Sequence, residues 1–171
     1  MTILVIGKNS SGKIAYAERL AASLCRGQLY YIATMLPYGE DGAERVKKHR
    51  AQRAGMGFFT LESPYGKAKV SKQDTVLLED VSNLVANYMF EQKVPDTAAA
   101  AIAAIEALRN ACNNLILVSI SGIDAADGGD ENTRAYIAAL NGVNEQLANG
   151  ADVVIEMLSG QPIVQKGALP C

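Results

Sequence analysis

The chain has one histidine in 171 residues, three cysteines, no basic surplus and no long apolar run. Each shortage removes a class of protein. Cys25, Cys112 and Cys171 are odd in number and widely spaced, with no CxxC pair. Neither a disulfide framework nor a zinc site follows, and a reducing, cytoplasmic setting is expected. Sixteen Lys and Arg against eighteen Asp and Glu leave a formal charge of -2. Gripping a nucleic-acid backbone takes a basic surplus, so no nucleic-acid partner is expected. The apolar stretches fall well short of the roughly 18 to 20 residues that span a bilayer. The opening residues 1–6 have no basic region and run straight into a glycine loop, so they read as a first strand and not as a signal peptide.

What is present is material for a core. Apolar residues make up 49% and charged residues 20% of the chain, the balance of a globular protein, and the length suits one domain. Short β-rich runs at 3–6, 29–33, 58–61, 76–79, 115–119, 153–157 and 162–165 alternate with helical compositions over 13–24, 42–54, 81–90, 96–112 and 131–149. This alternation predicts an α/β layered fold with a mainly parallel sheet. The first, fourth, fifth and sixth runs lack polar alternation, as central strands covered on both faces do. The alanine-rich stretch 97–108 reads as a tightly packed surface helix. Residues 122–130, with three glycines and three aspartates, read as a loop after a strand. No repeat or linker divides the chain, so a single domain over 1–171 is expected.

Gly7, Lys8, Asn9, Ser10, Ser11, Gly12 and Lys13 fit G-x-x-x-x-G-K between a hydrophobic strand and a helix. In such a loop the backbone N–H groups curl round phosphates, the helix N-terminus adds its positive end, and the lysine reaches the outer phosphates. The next position calls for Ser or Thr to ligate Mg²⁺, and here it is Ile14, which has no oxygen. Nucleotide binding survives that loss more readily than phosphoryl transfer does. Residues 76–78 lead into Glu79 and Asp80, a hydrophobic strand ending in acid as in a Walker-B arrangement. Glu79 is the candidate Mg²⁺ ligand, directly or through water. The alternative is that the pair caps the helix starting near Val81.

The single histidine, His49, lies between Arg45 and Arg53 at i, i+4, i+8, hence on one helix face, with Lys47, Lys48 and Arg50 around it. The segment has too few apolar residues to be buried on all sides. It reads either as a solvated basic helix or as a cationic strip facing a triphosphate. In the second case a neutral imidazole attacks phosphorus while arginines stabilise the developing charge. Spacing alone does not choose.

Taken in order, these segments resemble the bifunctional adenosylcobinamide kinase / adenosylcobinamide-phosphate guanylyltransferase family of cobalamin biosynthesis. The likeness runs from the glycine loop through Tyr31-Ile32-Ala33-Thr34, the helix from Arg45 to Arg53, Thr60-Leu61-Glu62-Ser63-Pro64, Leu77-Leu78-Glu79-Asp80-Val81-Ser82-Asn83 with Asn87, and Val143-Asn144-Glu145-Gln146 to Ser159-Gly160-Gln161-Pro162. The resemblance implies a three-layer P-loop NTPase-like domain. It implies phosphorylation of a corrinoid hydroxyl by a nucleoside triphosphate, GTP or ATP, with Mg²⁺. It also implies transfer of GMP from GTP through a guanylylated histidine, and a homo-oligomer, by family a trimer. His49 falls on the histidine that carries GMP. Nucleotide contacts fall on Gly7 through Ile14, on Ile32, Ala33 and Thr34, on Arg50, Ala51, Gln52 and Arg53, and on Glu62 and Glu79. Two departures stand out. One is Ile14. The other is Val118-Ser119-Ile120-Ser121-Gly122, where the family shows an Asn-Glu-Val-Gly-like turn, with Asp124 or Asp127 as candidate substitutes. These departures keep two alternatives open: a nucleotide-binding paralogue that has lost catalysis and acts as a sensor or partner subunit, and an unrelated P-loop ATPase or small-molecule kinase.

Overall fold

A computed structural model describes residues 1–36, 39–124 and 129–169, with residues 39–41, 45, 48, 49 and 52 described by backbone alone. Asp127 and Cys171 lie outside the described residues. The strands are β1 (Thr2–Gly7), β2 (Leu29–Ala33), β3 (Phe58–Glu62), β4 (Thr75–Glu79), β5 (Asn114–Ile120), β6 (Val153–Leu158) and β7 (Gln161–Lys166). They form one sheet in the order β3-β2-β4-β5-β1-β6-β7. All neighbours are parallel except β6 and β7, which pair as an antiparallel hairpin. The four strands without polar alternation, β4, β5, β1 and β6, are contiguous at the centre, as their sequences predict.

The helices are α1 (Lys13–Leu24), α2 (Gly39–Gln52), α3 (Val81–Ala86), α4 (Thr97–Ala111) and α5 (Glu131–Gly150). Successive strand residues point to opposite faces, and this period divides the core in two. Leu4, Val76, Leu78, Leu115 and Leu117 pack under α3, α4 and α5. Ile3, Val5, Tyr31, Leu77 and Ile116 pack under Ala17 and Ala21 of α1. The result is three layers, helices–sheet–helix. Asp80, Asp96 and Asp130 cap α3, α4 and α5 by accepting from Asn83 N, Ala99 N and Thr133 N, which satisfies N–H groups the first helical turn leaves unpaired.

The sequence predicts one helix over 81–90, and the structure differs. After Ala86 the chain winds into a π-helical turn, Asn87–Glu91. There the Asn87 amide donates to Thr34 O at 2.7 Å and Pro64 O at 2.8 Å. These are tertiary bonds that local periodicity does not register.

Candidate functional site

The glycine loop joins β1 to α1 at the C-terminal edge of the sheet, where α/β folds bind ligands. Its shape requires its glycines. A Cβ on Gly7 would stand 2.5 Å from Ser11 Oγ and 3.0 Å from Met157 O, and Gly12 has φ +83° at the N-cap of α1. Lys8, Asn9 and Ser10 are exposed. Ser11 is buried, and its Oγ has no hydrogen-bond partner among the described residues. Lys13 is 7% exposed and donates from Nζ to Lys8 O at 3.2 Å. Burial lowers the Lys13 pKa, while the charges of Asp80 and Glu79 raise it. A buried ammonium and an unmet hydroxyl beneath a helix N-terminus are what a phosphate would satisfy. Ser10 through Ile14 line a cleft of about 700 Å³ with Glu18, Arg19 and Met56. That size lies within the roughly 300–1,000 Å³ of small-molecule sites.

The neighbouring wall comes from the ends of β2 and β4. Thr34 is fully buried and locks them together. Thr34 N donates to Glu79 O at 2.9 Å, and Asp80 N donates to Thr34 Oγ1 at 2.8 Å. The Glu79–Asp80 peptide bond is cis. Asp80 spends its carboxylate on Ser82 Oγ and Asn83 N, at 2.6 and 2.7 Å, so the capping alternative holds for it. Glu79 points elsewhere. It lines a second, narrower cavity of about 60 Å³ with Ala33, Arg50, Arg53 and Glu62. Burial, then the charges of Asp80 and Glu18, push the Glu79 carboxyl up to about 8 despite Lys13.

The structure therefore brings together Ser10 through Ile14 on the cleft, and Ala33, Arg50, Arg53, Glu62 and Glu79 on the adjoining cavity, while Gly7, Lys8 and Asn9 of the same loop line neither. The side chains of Ile32 and Thr34 are fully buried and reach neither. Ala51 is exposed. Arg50 pairs with Glu62 across the mouth, both half-exposed, where an ion pair contributes little stability. The side chains of His49 and Gln52 lie outside the described residues. The α2 backbone places His49 between cavity-lining Val46, Arg50 and Arg53. Asp124 is exposed. At the departed turn, Ser119 Oγ donates to Asn144 Oδ1 at 2.6 Å and Asn144 Nδ2 to Ile120 O at 2.9 Å, which ties β5 to α5.

Two residues that line these spaces were not singled out by the sequence reading, Glu18 on the cleft and Tyr31 on the cavity. Glu18 had a legible signal, being a charge set beside Ala17 and Ala21 on the apolar face of α1. Tyr31 stood in the family-like run Tyr31-Ile32-Ala33-Thr34, yet an aromatic on a β-rich run reads as core.

For Mg²⁺ the residues offer a sparse fit. Among the described residues no three His, Cys, Asp or Glu side chains cluster as a metal site, and Ile14 packs against the α1-side core. Glu79 is the one matching carboxylate. Its raised pKa is what a neighbouring cation would reverse, and Mg²⁺ commonly takes one or two carboxylates with phosphate oxygens and water.

Among the described residues, no helix is long and apolar enough to cross a membrane. No curated protein matches the chain. Among solved structures, the flagellar accessory protein FlaH from Methanocaldococcus jannaschii is similar at 16% identity and TM-score 0.49, covering 97% of this chain and 78% of that one. A likeness at that level carries no argument. The family model for cobinamide kinase / cobinamide phosphate guanyltransferase matches residues 3–164, from β1 into β7. The chain belongs to that family, as an enzyme of kinase and nucleotidyltransferase type with corrinoid and nucleotide substrates in cobalamin biosynthesis.

Proposed function

We propose that this chain is a single cytoplasmic nucleotide-binding domain that transfers GMP from GTP, through His49, to a corrinoid phosphate, and that its phosphorylation step is weakened by Ile14. The reading is carried by one juxtaposition: the phosphate loop opens on the same sheet edge as the Glu79 cavity, whose wall includes Val46 and Arg50 of α2, the helix that carries His49. Lys13 and the loop amides hold the triphosphate. A nitrogen lone pair of the His49 imidazole attacks the α-phosphorus, a P–N bond forms, and the bond to the bridging oxygen breaks, so that pyrophosphate leaves. An oxygen of the corrinoid phosphate then attacks the same phosphorus, the P–N bond breaks, and the imidazole is restored. Arg50 and Arg53 stabilise the charge on the equatorial oxygens. Mg²⁺, when bound, neutralises charge on the phosphates, and Glu79 is the residue that would hold it. By family resemblance the assembly is a homotrimer.

The test is intact mass after incubation with GTP and Mg²⁺, with the gain of one GMP expected. A protein that binds GTP and never gains mass would instead be the non-catalytic paralogue, a sensor or partner subunit, which is the reading Ile14 favours.

The loop itself is open to mutation at two positions. Lys13→Ala removes a charge-assisted contact to phosphate and should weaken GTP binding by about 2 to 3 kcal/mol, roughly 30- to 150-fold in Kd. Calorimetric titration checks it, and equal affinity in both proteins would refute the loop assignment. Ile14→Ser supplies the missing hydroxyl, and should raise corrinoid phosphorylation more than GMP transfer while steepening the Mg²⁺ dependence of nucleotide binding. Paired rates across a Mg²⁺ series decide it. If the native protein already phosphorylates as fast as the variant, another group supplies the ligand.

A further inference from the structure

Arg53, in the turn that ends α2, is 5% exposed. Its guanidinium carbon lies 3.5 Å from the ring centroid of Tyr31 on β2. Its Nε and Nη1 are buried with no hydrogen-bond partner among the described residues. Buried donors left unmet are costly and uncommon in folded chains. The ring fixes the guanidinium plane by cation–π attraction and leaves the in-plane N–H edge uncommitted. Tyr31 is fully buried, and its hydroxyl also lacks a partner among the described residues, so the ring is the part of that side chain in use. The third member is Glu18, five residues beyond Lys13 on α1 and 8% exposed. Burial raises its pKa, and the charges of Arg53 and Arg19 lower it. The field is mutual, because Glu18 favours the charged form of Arg53 against burial. The strand beneath the cavity thus meets the guanidinium directly, and the charge of Glu18, on the wall of the phosphate-loop cleft, acts on it from α1.

We propose that Tyr31 and Glu18 are positioning residues for GMP transfer, Tyr31 by stacking on the Arg53 guanidinium and Glu18 through its charge, so that Arg53 stays on the wall of the Glu79 cavity to meet an anionic phosphate there. The inference rests on the proposed role of His49. Neither residue touches the reacting atoms. Their effect runs through Arg53, which follows His49 by four residues in the turn that ends α2.

The test is single-turnover GMP transfer from GTP, followed by intact mass, in Tyr31→Leu, Tyr31→Phe and Glu18→Gln, with thermal unfolding of each recorded. Tyr31→Leu should slow transfer at saturating GTP by about tenfold or more while the half-saturating GTP concentration moves less, since misplaced groups cost rate when the loop still binds phosphate. Tyr31→Phe keeps the stacking face and should stay within about twofold of the native rate. Glu18→Gln is nearly isosteric and should slow transfer by roughly three- to tenfold through the lost field. A folded Tyr31→Leu at the native rate, or a Tyr31→Phe as slow as Tyr31→Leu, overturns the proposal. If Tyr31→Leu does not fold, Glu18→Gln decides, and a native rate there overturns it. A native protein that gains no GMP refutes the role of His49. The geometry is then read from the Arg53 Nε–H resonance, which should be ring-current shifted in the native protein and in Tyr31→Phe. An unshifted resonance in the native protein overturns the inference.

Discussion

His49→Ala should abolish the GMP adduct while leaving the chain folded and able to bind GTP. The effect is expected to be complete because the chain has no second histidine to take over as a nitrogen nucleophile. The phosphorus of a triphosphate needs a nucleophile with a free lone pair at neutral pH, and an imidazole supplies one there. Folding should survive, because α2 is a polar helix whose C-terminal end is held by other residues. Arg53 is stacked on Tyr31 beyond that end, and Met56 N donates to Arg53 O at 3.0 Å in the turn that leads to β3. GTP binding should survive because the phosphate loop belongs to a different element. The adduct in the native protein should be labile to acid and stable to base, as a phosphoramidate is. Intact mass and peptide mapping decide the matter. An adduct that persists in His49→Ala would place the acceptor elsewhere.

Glu79→Gln should make the protein more stable above neutral pH, by on the order of 3 kcal/mol at pH 9. Burial raises the native carboxyl from its ordinary 4.5 to about 8. Below pH 4.5 the group is protonated in both folded and unfolded chains and contributes nothing. Between 4.5 and 8 the unfolded chain releases the proton and the folded chain retains it. Stability there falls as pH rises, by about 1.4 kcal/mol per pH unit at most. Above 8 both states are ionised, and the penalty stays constant. Water at the cavity mouth reaches the partly exposed carboxyl and trims the full sum. The amide that replaces the carboxyl never ionises, so the gap between the two proteins should open through about pH 5 to 8 and level off beyond. Thermal or urea unfolding across that range measures it. Parallel profiles would mean that the carboxyl is as well solvated as in the unfolded chain. In the native enzyme, a carboxyl held on the edge of ionisation beside Lys13 is a poor ligand when alone and a good one once a cation arrives.

Much of this was legible from the sequence. Seven strands and five helical segments follow from where periodicity switches between two and three-to-four residues, because each pattern buries an apolar face in only one geometry. The glycine loop was legible because its spacing encodes a backbone shape: Gly7 leaves no room for a Cβ, and Gly12 turns into the left-handed region. The capping carboxylates of Asp96 and Asp130 act within three residues of themselves, so they too are local. The order β3-β2-β4-β5-β1-β6-β7 is a different matter. It sets β5 between the strand of the glycine loop and the strand of Glu79, and no neighbour in sequence records that choice. The same holds for the division of labour between Glu79 and Asp80. As adjacent carboxylates they look alike in sequence, yet one is consumed by Ser82 and Asn83 and the other is turned into a cavity. Arg53 shows the limit most plainly. From spacing alone it was a charge on a basic helix, either solvated or facing a triphosphate, and the family resemblance added a nucleotide contact without saying what would hold it. Only the tertiary structure buries it against Tyr31, 22 residues earlier, within the field of Glu18. Local propensity fixes what a segment becomes. The burial of a charge is decided by which distant surfaces close over it, and that depends on the packing of the whole sheet.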